Sequence, residues 1–200
     1  MAHQVHAFEP PERFVAGTVG PPGERTFFLQ ARGGGRLVSV ALEKVQVVLL
    51  ADKLEELLTE ARRRFDAEVA DAPAGPPDND PLDTPVDEEF RVGTLGLAFD
   101  VDTATVLIEA VAAGDADDSA DADDSADAAT EDDSAADPDS DEIVDADLDR
   151  LRVRLTPAAT RQFIARARRV VAAGRPPCPL CGQPLDAGGH LCPRHNGYHR

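Results

Sequence analysis

The sequence contains few of the residues that often mark a core or a reactive site. Among 200 residues there are no tryptophans, one tyrosine and one methionine, and the three cysteines all lie between positions 178 and 192. No apolar run approaches the roughly 18 residues that suggest a membrane span. The N-terminal stretch MAHQVHAFEPPERF lacks the hydrophobic segment of a signal peptide. We therefore expect a cytoplasmic protein without membrane contact, with a core of valine, leucine, isoleucine and alanine.

Positive charge is also scarce, and it is unevenly distributed. The net charge is −18. Residues 115–149 contain 17 acidic residues and no lysine or arginine, whereas residues 150–200 contain ten arginines and one acidic residue. The tract at about 115–141, which includes DADDSADADDSA, has almost no apolar surface to bury and repels itself. It predicts a disordered acidic insertion in a loop, because a strand and a helix are predicted after it.

The first part of the chain combines short β-rich runs with one long amphipathic pattern. RFVAGTVG, TFFLQAR and RLVSVALEK are separated by proline and glycine, and they predict three antiparallel strands. From Lys44 to Phe65, apolar residues recur at three- and four-residue steps, which predicts a helix of about five turns. Residues 66–87 contain five prolines without periodicity and predict a loop.

The same order of elements returns in the second part. EFRVGTLGLAFD, TATVLIEAVA and RLRVRLT predict three strands, and PAATRQFIARARRVVAAG predicts a helix with Thr156 as N-cap and Pro157 in its first position. GTVG at 17–20 and GTLG at 93–96 fall at corresponding places. We interpret residues 1–65 and 88–174 as two βββα halves; chance reuse of a common strand-turn sequence is the alternative. Either interpretation predicts an α+β fold, in which two helices cover one face of an antiparallel sheet. Residues 175–200 form a small C-terminal module.

The three cysteines are spaced like metal ligands. In the cytosol, closely spaced cysteines more often bind metal or do redox chemistry than form structural disulfides. Cys178 and Cys181 have the spacing of a zinc knuckle, and Cys192 adds a third thiolate. CPLCG and CPRHNG look like two copies of one knuckle, which favours His195 as the fourth ligand; alternatively, His190 lies two residues before Cys192 on the same side of a short strand. We predict structural Zn²⁺. A thiol redox pair and inert cysteines are the other hypotheses, and the proline-rich PPCPLCGQP disfavours the redox pair.

Three stretches of the chain resemble a known family. HAFEPPERFVAGTVGPPGERTFFLQA, EFRVGTLGL and GRPPCPLCGQPLDAGGHLCPRHNGYHR are similar to the actinobacterial family called domain of unknown function 3090, and the resemblance covers nearly all of the chain except the acidic insertion. It implies that the metal ligands are Cys178, Cys181, His190 and Cys192. The family has no established activity. The resemblance also implies that its genes often lie near those of a histidine-phosphatase-like protein and a lipid-kinase-like protein, which are therefore candidate partners.

Arginines on the second predicted helix form another candidate site. Apolar residues share one face of this helix, and the other face carries Arg161, Arg166, Arg168 and Arg169. These arginines could bind nucleic-acid phosphates, bind a protein or a phosphorylated partner, or pair with carboxylates of residues 1–114 or transiently with those of the acidic insertion. The absence of lysine from residues 150–200, the scarcity of aromatic residues for base stacking and the acidic net charge count against nucleic acid.

The sequence has no recognisable catalytic motif. It lacks a nucleophile motif and a phosphate-binding glycine loop with lysine, and GGG at 33–35 predicts a hairpin turn. The leading hypothesis is a zinc-binding, non-enzymatic binding or adaptor module with a protein partner. The first alternative is an enzyme whose site on the sheet uses His6, Arg13, Arg25 or Glu43. The second is a nucleic-acid-associated protein that uses the arginine face.

Overall fold

The computed structural model describes residues 3–21, 23–65, 73, 75–114, 148–174, 178, 180–181 and 192. The strands are β1 (Val5–Phe8), β2 (Arg13–Val19), β3 (Thr26–Gly33), β4 (Arg36–Leu42), β5 (Glu88–Asp100), β6 (Thr105–Ala112) and β7 (Arg150–Leu155). The helices are α1 (Lys44–Phe65) and α2 (Pro157–Ala172). The α+β class and both predicted helices are confirmed. β1 has no counterpart among the predicted strands.

The seven strands form one mixed sheet. Their order is β1-β7-β6-β5-β4-β3-β2. The predicted purely antiparallel sheet is wrong at two places, because β4 pairs with β5 and β1 pairs with β7 in parallel. The first case follows from the connection: α1 carries the chain back along the sheet, so that β5 starts at the same end as β4. Such a crossover joins parallel strands, whereas a tight hairpin joins antiparallel ones.

The two sets of three strands follow one another across the sheet. β2, β3 and β4 precede α1, and β5, β6 and β7 precede α2. The GTVG segment begins in β2 and the GTLG segment lies in β5, so each falls on the first strand of its set. This arrangement agrees with two βββα halves, and their duplication stays a prediction. β1 departs from the scheme, because it belongs to the first half in sequence but pairs with β7.

The main core lies between one face of the sheet and both helices. Alternate strand residues point to this face, since successive side chains in a strand point to opposite sides. From α2, Phe163 is buried and its ring stacks on Phe14 of β2 at a centroid distance of 4.8 Å. The α2 start is as predicted, with Thr156 Oγ1 accepting a hydrogen bond from Ala159 N at 3.2 Å. The buried residues of α1 are Val47, Leu50, Ala51, Leu54, Leu58 and Ala61.

Part of the proline-rich loop covers the opposite face of β2–β4. A second apolar cluster there consists of Val15, Phe28, Ala41 and Leu82. The buried Gln30 amide donates to Ser39 Oγ at 3.0 Å and to Asp83 O at 2.9 Å, and its Oε1 accepts from Asp83 N at 2.7 Å. Gly17 allows this approach, because a Cβ at that position would lie 2.5 Å from Leu82. The loop is therefore packed on the sheet by specific contacts.

Two predicted segments fall mainly or wholly outside the ranges given above. The acidic insertion at about 115–141 is entirely outside them, and so is most of the C-terminal module at 175–200. Neither helix in the described ranges combines the length and apolar character that a bilayer crossing requires.

Candidate functional site: a metal centre and paired arginines

The three cysteines come together beyond the end of α2. Their Sγ atoms all lie within 4.8 Å of one another. The Sγ atoms of Cys178 and Cys192 are 3.9 Å apart, far longer than a disulfide bond of about 2.05 Å. Cys178 and Cys192 are buried, and Cys181 is partly exposed. The predicted clustering of the three thiols is therefore confirmed.

The dimensions of this cluster fit a tetrahedral metal ion. With Zn–S bonds of about 2.3 Å, two sulfurs on one tetrahedral ion lie about 3.8 Å apart. The Cys178–Cys192 separation of 3.9 Å matches such an edge. No histidine or carboxylate joins the three sulfurs among the residues that the structure describes. His190 and His195, the two predicted candidates for the fourth ligand, lie outside those residues.

Local backbone groups stabilise one of the thiolates. The backbone N–H of Cys181 is the main cause of a lowered pKa at the Cys178 thiol, and the backbone of Leu180 and the neighbouring thiols lower this pKa further. Cysteine must be deprotonated to bind a metal ion. The turn between the first two cysteines is therefore suited to holding a thiolate ligand.

Two of the α2 arginines pair with carboxylates on α1. Arg161 forms an ion pair with Glu55. The Arg168 Nη2 donates to Asp52 Oδ1 at 3.0 Å, and its Nη1 donates to Glu55 Oε2 at 3.3 Å. These ion pairs join the two helices on their polar sides.

The other two α2 arginines bind the proline-rich loop. Arg166, which the sequence places on the polar face of the helix, is only 5% exposed. Its Nε donates to Ala16 O on β2 at 2.9 Å. Its Nη1 donates to Asp78 Oδ1 at 2.6 Å and Asp78 O at 2.9 Å, and its Nη2 donates to Asp80 O at 2.7 Å. Arg169 Nη2 also donates to Asp78 O, at 2.8 Å.

A comparison with family models matches residues 6–192 to the family described as "Protein of unknown function (DUF3090)". The chain belongs to this family. The family resemblance in the sequence is thus confirmed. No curated protein and no solved structure matches the chain. The family match covers the seven strands, apart from Val5 at the start of β1, and the three cysteines of this DUF3090 protein.

The arginines of α2 pair with groups of the same chain. Each of the four α2 guanidinium groups contacts a carboxylate or a carbonyl of residues 1–114. Binding of an external anion by Arg161, Arg166, Arg168 and Arg169 stays a prediction. In the DUF3090 chain it would require these groups to exchange or share their present partners.

Sequence reasoning did not identify Asp78, which connects the loop to the buried Arg166 and the partly buried Arg13. Arg13 Nε donates to Asp78 Oδ2 at 2.9 Å, and Arg13 Nη2 donates to Oδ1 at 3.1 Å. These bonds, helped by the charge of Arg166, hold the pKa of the Asp78 carboxyl below its ordinary value. The three side chains line a cleft of about 170 Å³ between β2 and α2. An aspartate in an aperiodic loop gave no sequence signal that could have identified it.

The residues of the enzyme hypothesis are distributed over different parts of the fold. His6 is buried on β1, and Arg13 binds the loop. Arg25 Nη1 donates to Ala173 O at the end of α2, at 2.7 Å, and Glu43 pairs with Arg91 at 3.4 Å. Within the described part of the DUF3090 chain, no hydrogen bond or ion pair joins any two of these four residues.

Proposed function

We propose that this DUF3090 protein binds one structural Zn²⁺ ion through Cys178, Cys181, Cys192 and His190. The observation that carries the proposal is the cluster of three sulfurs, with a 3.9 Å edge that suits a tetrahedral ion. We choose His190 as the fourth ligand because the resemblance to the DUF3090 family implies a ligand at this position, and its place two residues before Cys192 agrees with this choice. His195 is the competing ligand.

Four protein ligands leave no open coordination position. Catalytic zinc sites keep one position for water or substrate, whereas structural sites are closed. Zn²⁺ at this place would tie the chain beyond α2 into a compact module. It would supply folding free energy there, because metal binding and folding of such a module are coupled.

Elemental analysis of the purified full chain tests the metal site. We expect about one zinc per chain, and we expect Cys178→Ser to lose most of it, because a thiolate ligand is replaced by a hydroxyl that stays protonated. His190→Ala and His195→Ala form a matched pair, and the first should lose more zinc. A protein without metal, whose three thiols all react with a thiol reagent in the native state, would contradict the proposal.

We also propose that the protein acts in the cytoplasm as a non-enzymatic binding or adaptor module. A closed metal site would agree with this role, and so does the lack of any hydrogen bond or ion pair among His6, Arg25 and Glu43 in the described part of the chain. The histidine-phosphatase-like and lipid-kinase-like proteins are candidate partners. The nucleic-acid alternative has less support, because the α2 arginines already have acceptors within the chain.

Co-purification at low salt tests the adaptor role. We expect a defined protein partner to be retained with the full chain, because an adaptor works by stable association. Each of the two candidate partners, purified separately, should then be mixed with the chain, and the complex measured by size-exclusion chromatography. Retention of nucleic acid in place of protein would favour the nucleic-acid alternative, and hydrolysis of a substrate by the isolated chain would contradict a non-enzymatic role.

A further inference from the structure

The three cysteines of the cluster differ in the exposure of the whole residue. Cys178 is 6% exposed and Cys192 is 9% exposed. Cys181 is partly exposed, and the adjacent Leu180 is 47% exposed. A small oxidant that approaches from solvent should therefore reach Cys181 more readily than the two buried cysteines.

We propose that the centre is a peroxide-sensitive switch, in which Cys181 is oxidised, forms a disulfide with Cys178, and thereby releases the metal ion. The inference rests on the Zn²⁺ site proposed above and adds the regulation of that site. It uses the partial exposure of Cys181 and the mutual distances of at most 4.8 Å among the sulfurs.

The reaction needs one peroxide and no other oxidant. The Cys181 thiolate attacks one oxygen of the peroxide; the O–O bond breaks, the other oxygen leaves as an alcohol or water after taking up a proton, and Cys181 becomes a sulfenic acid. The Cys178 thiolate then attacks this sulfur; a new S–S bond forms and the hydroxyl leaves as water after a second proton is taken up. Two thiolates lose two electrons in total, and the peroxide gains them.

Release of the metal follows from the number of ligands. A disulfide between Cys178 and Cys181 removes two thiolates and leaves one thiolate, Cys192, with one imidazole. Structural zinc sites are almost always four-coordinate with nitrogen and sulfur ligands. Because the chain has three cysteines, one disulfide uses two of them and leaves no second thiolate to retain the ion.

The α+β body should remain folded when the switch operates. Neither apolar cluster in the described part of the chain includes a cysteine. The helices and strands are held by Phe163, Leu29 and similar residues, which the reaction does not touch. The change would thus be confined to the module beyond α2, and it would alter the surface that this module presents.

Treatment of the zinc-loaded full chain with hydrogen peroxide tests the switch. Zinc release is followed with a chromogenic chelator, and the oxidised cysteines are mapped by mass spectrometry after alkylation of free thiols. We expect about one zinc per chain to be released as the Cys178–Cys181 disulfide forms. The helix and strand signal in the far-ultraviolet circular dichroism spectrum of the full chain should be retained. Zinc binding should return after treatment with dithiothreitol and Zn²⁺. Zinc-loaded protein kept without peroxide is the control.

Other results would contradict the metal site, the switch or the choice of the reacting cysteines. Absence of zinc from the untreated, reduced protein would overturn the proposed metal site itself. Zinc retained under peroxide, with the three cysteines unmodified, would overturn only the switch. A disulfide that includes Cys192, or release with sulfinic acid and no disulfide, would overturn the assignment of Cys181 and Cys178 as the reacting pair.

Discussion

Replacing Arg166 by methionine should lower the free energy of unfolding by about 3 to 5 kcal/mol, because several acceptors lose their donor and each unpaired buried acceptor costs about 1–3 kcal/mol. The change leaves Ala16 O, Asp80 O and the Asp78 carboxylate without the hydrogen bonds that Arg166 donates. Methionine keeps the length and apolar stem of the side chain, so lost packing contributes little. Urea unfolding followed by circular dichroism measures the effect.

The matched control for this variant is Arg168→Met on the same helix. The Arg168 side chain is 50% exposed, and its partner Asp52 is 55% exposed. Exposed ion pairs contribute only about 0–1 kcal/mol, so the control should stay close to the parent protein. Equal losses for the two variants would show that burial of Arg166 has no energetic role.

Replacing Asp78 by asparagine should have the second largest effect, and it should depend on pH. At neutral pH the variant lacks the carboxylate that accepts charged hydrogen bonds from Arg13 and Arg166, each of a kind worth about 2 kcal/mol. The pKa of Asp78 is lowered in the folded state. Its contribution is therefore fully present above the ordinary aspartate pKa and disappears as the pH falls through the folded-state pKa.

The difference in unfolding free energy between parent and Asp78→Asn should accordingly be large at about pH 7 and shrink below about pH 4. Urea titrations over this range measure it, and loss of the proposed Zn²⁺ at low pH would affect both proteins alike and cancel in the difference. Asp52→Asn, which removes an exposed carboxylate, is the control and should change little. A difference that is the same at every pH would contradict the assigned role of the Asp78 charge.

Local sequence patterns predict most of the helices and strands. The three- and four-residue spacing of Val47, Leu50, Leu54 and Leu58 predicts α1, and Thr156 with Pro157 predicts the start of α2. The cysteine spacing likewise predicts the cluster of sulfurs. These features depend on neighbours that are close in the sequence, so a single sequence contains the information.

Structural features that depend on contacts between residues far apart in the sequence are harder to predict from the sequence. β1 is four residues long and becomes a strand by pairing with β7, which lies about 145 residues away, and so its own sequence is a weak signal. Periodicity places Arg166 on the polar side of α2, but the long side chain finds its acceptors on β2 and in the loop. Asp78 gains its importance only when residues 88 positions apart meet. The contacts of Arg166 and Asp78 form only in the folded tertiary structure.

Arg36 and Arg166 each contact one of the two edge strands of the sheet, and these contacts affect how other chains can associate with the protein. An edge strand has unpaired backbone groups that can pair with a strand of another molecule, and such pairing is a common route to aggregation. On β1, Ala7 O accepts a hydrogen bond from Arg36 Nη2 at 2.7 Å; on β2, Ala16 O accepts one from Arg166 Nε at 2.9 Å. An incoming strand would have to displace a charged group at either border. We therefore expect other chains to associate with this protein through its helices and sheet faces, while the sheet itself remains at seven strands.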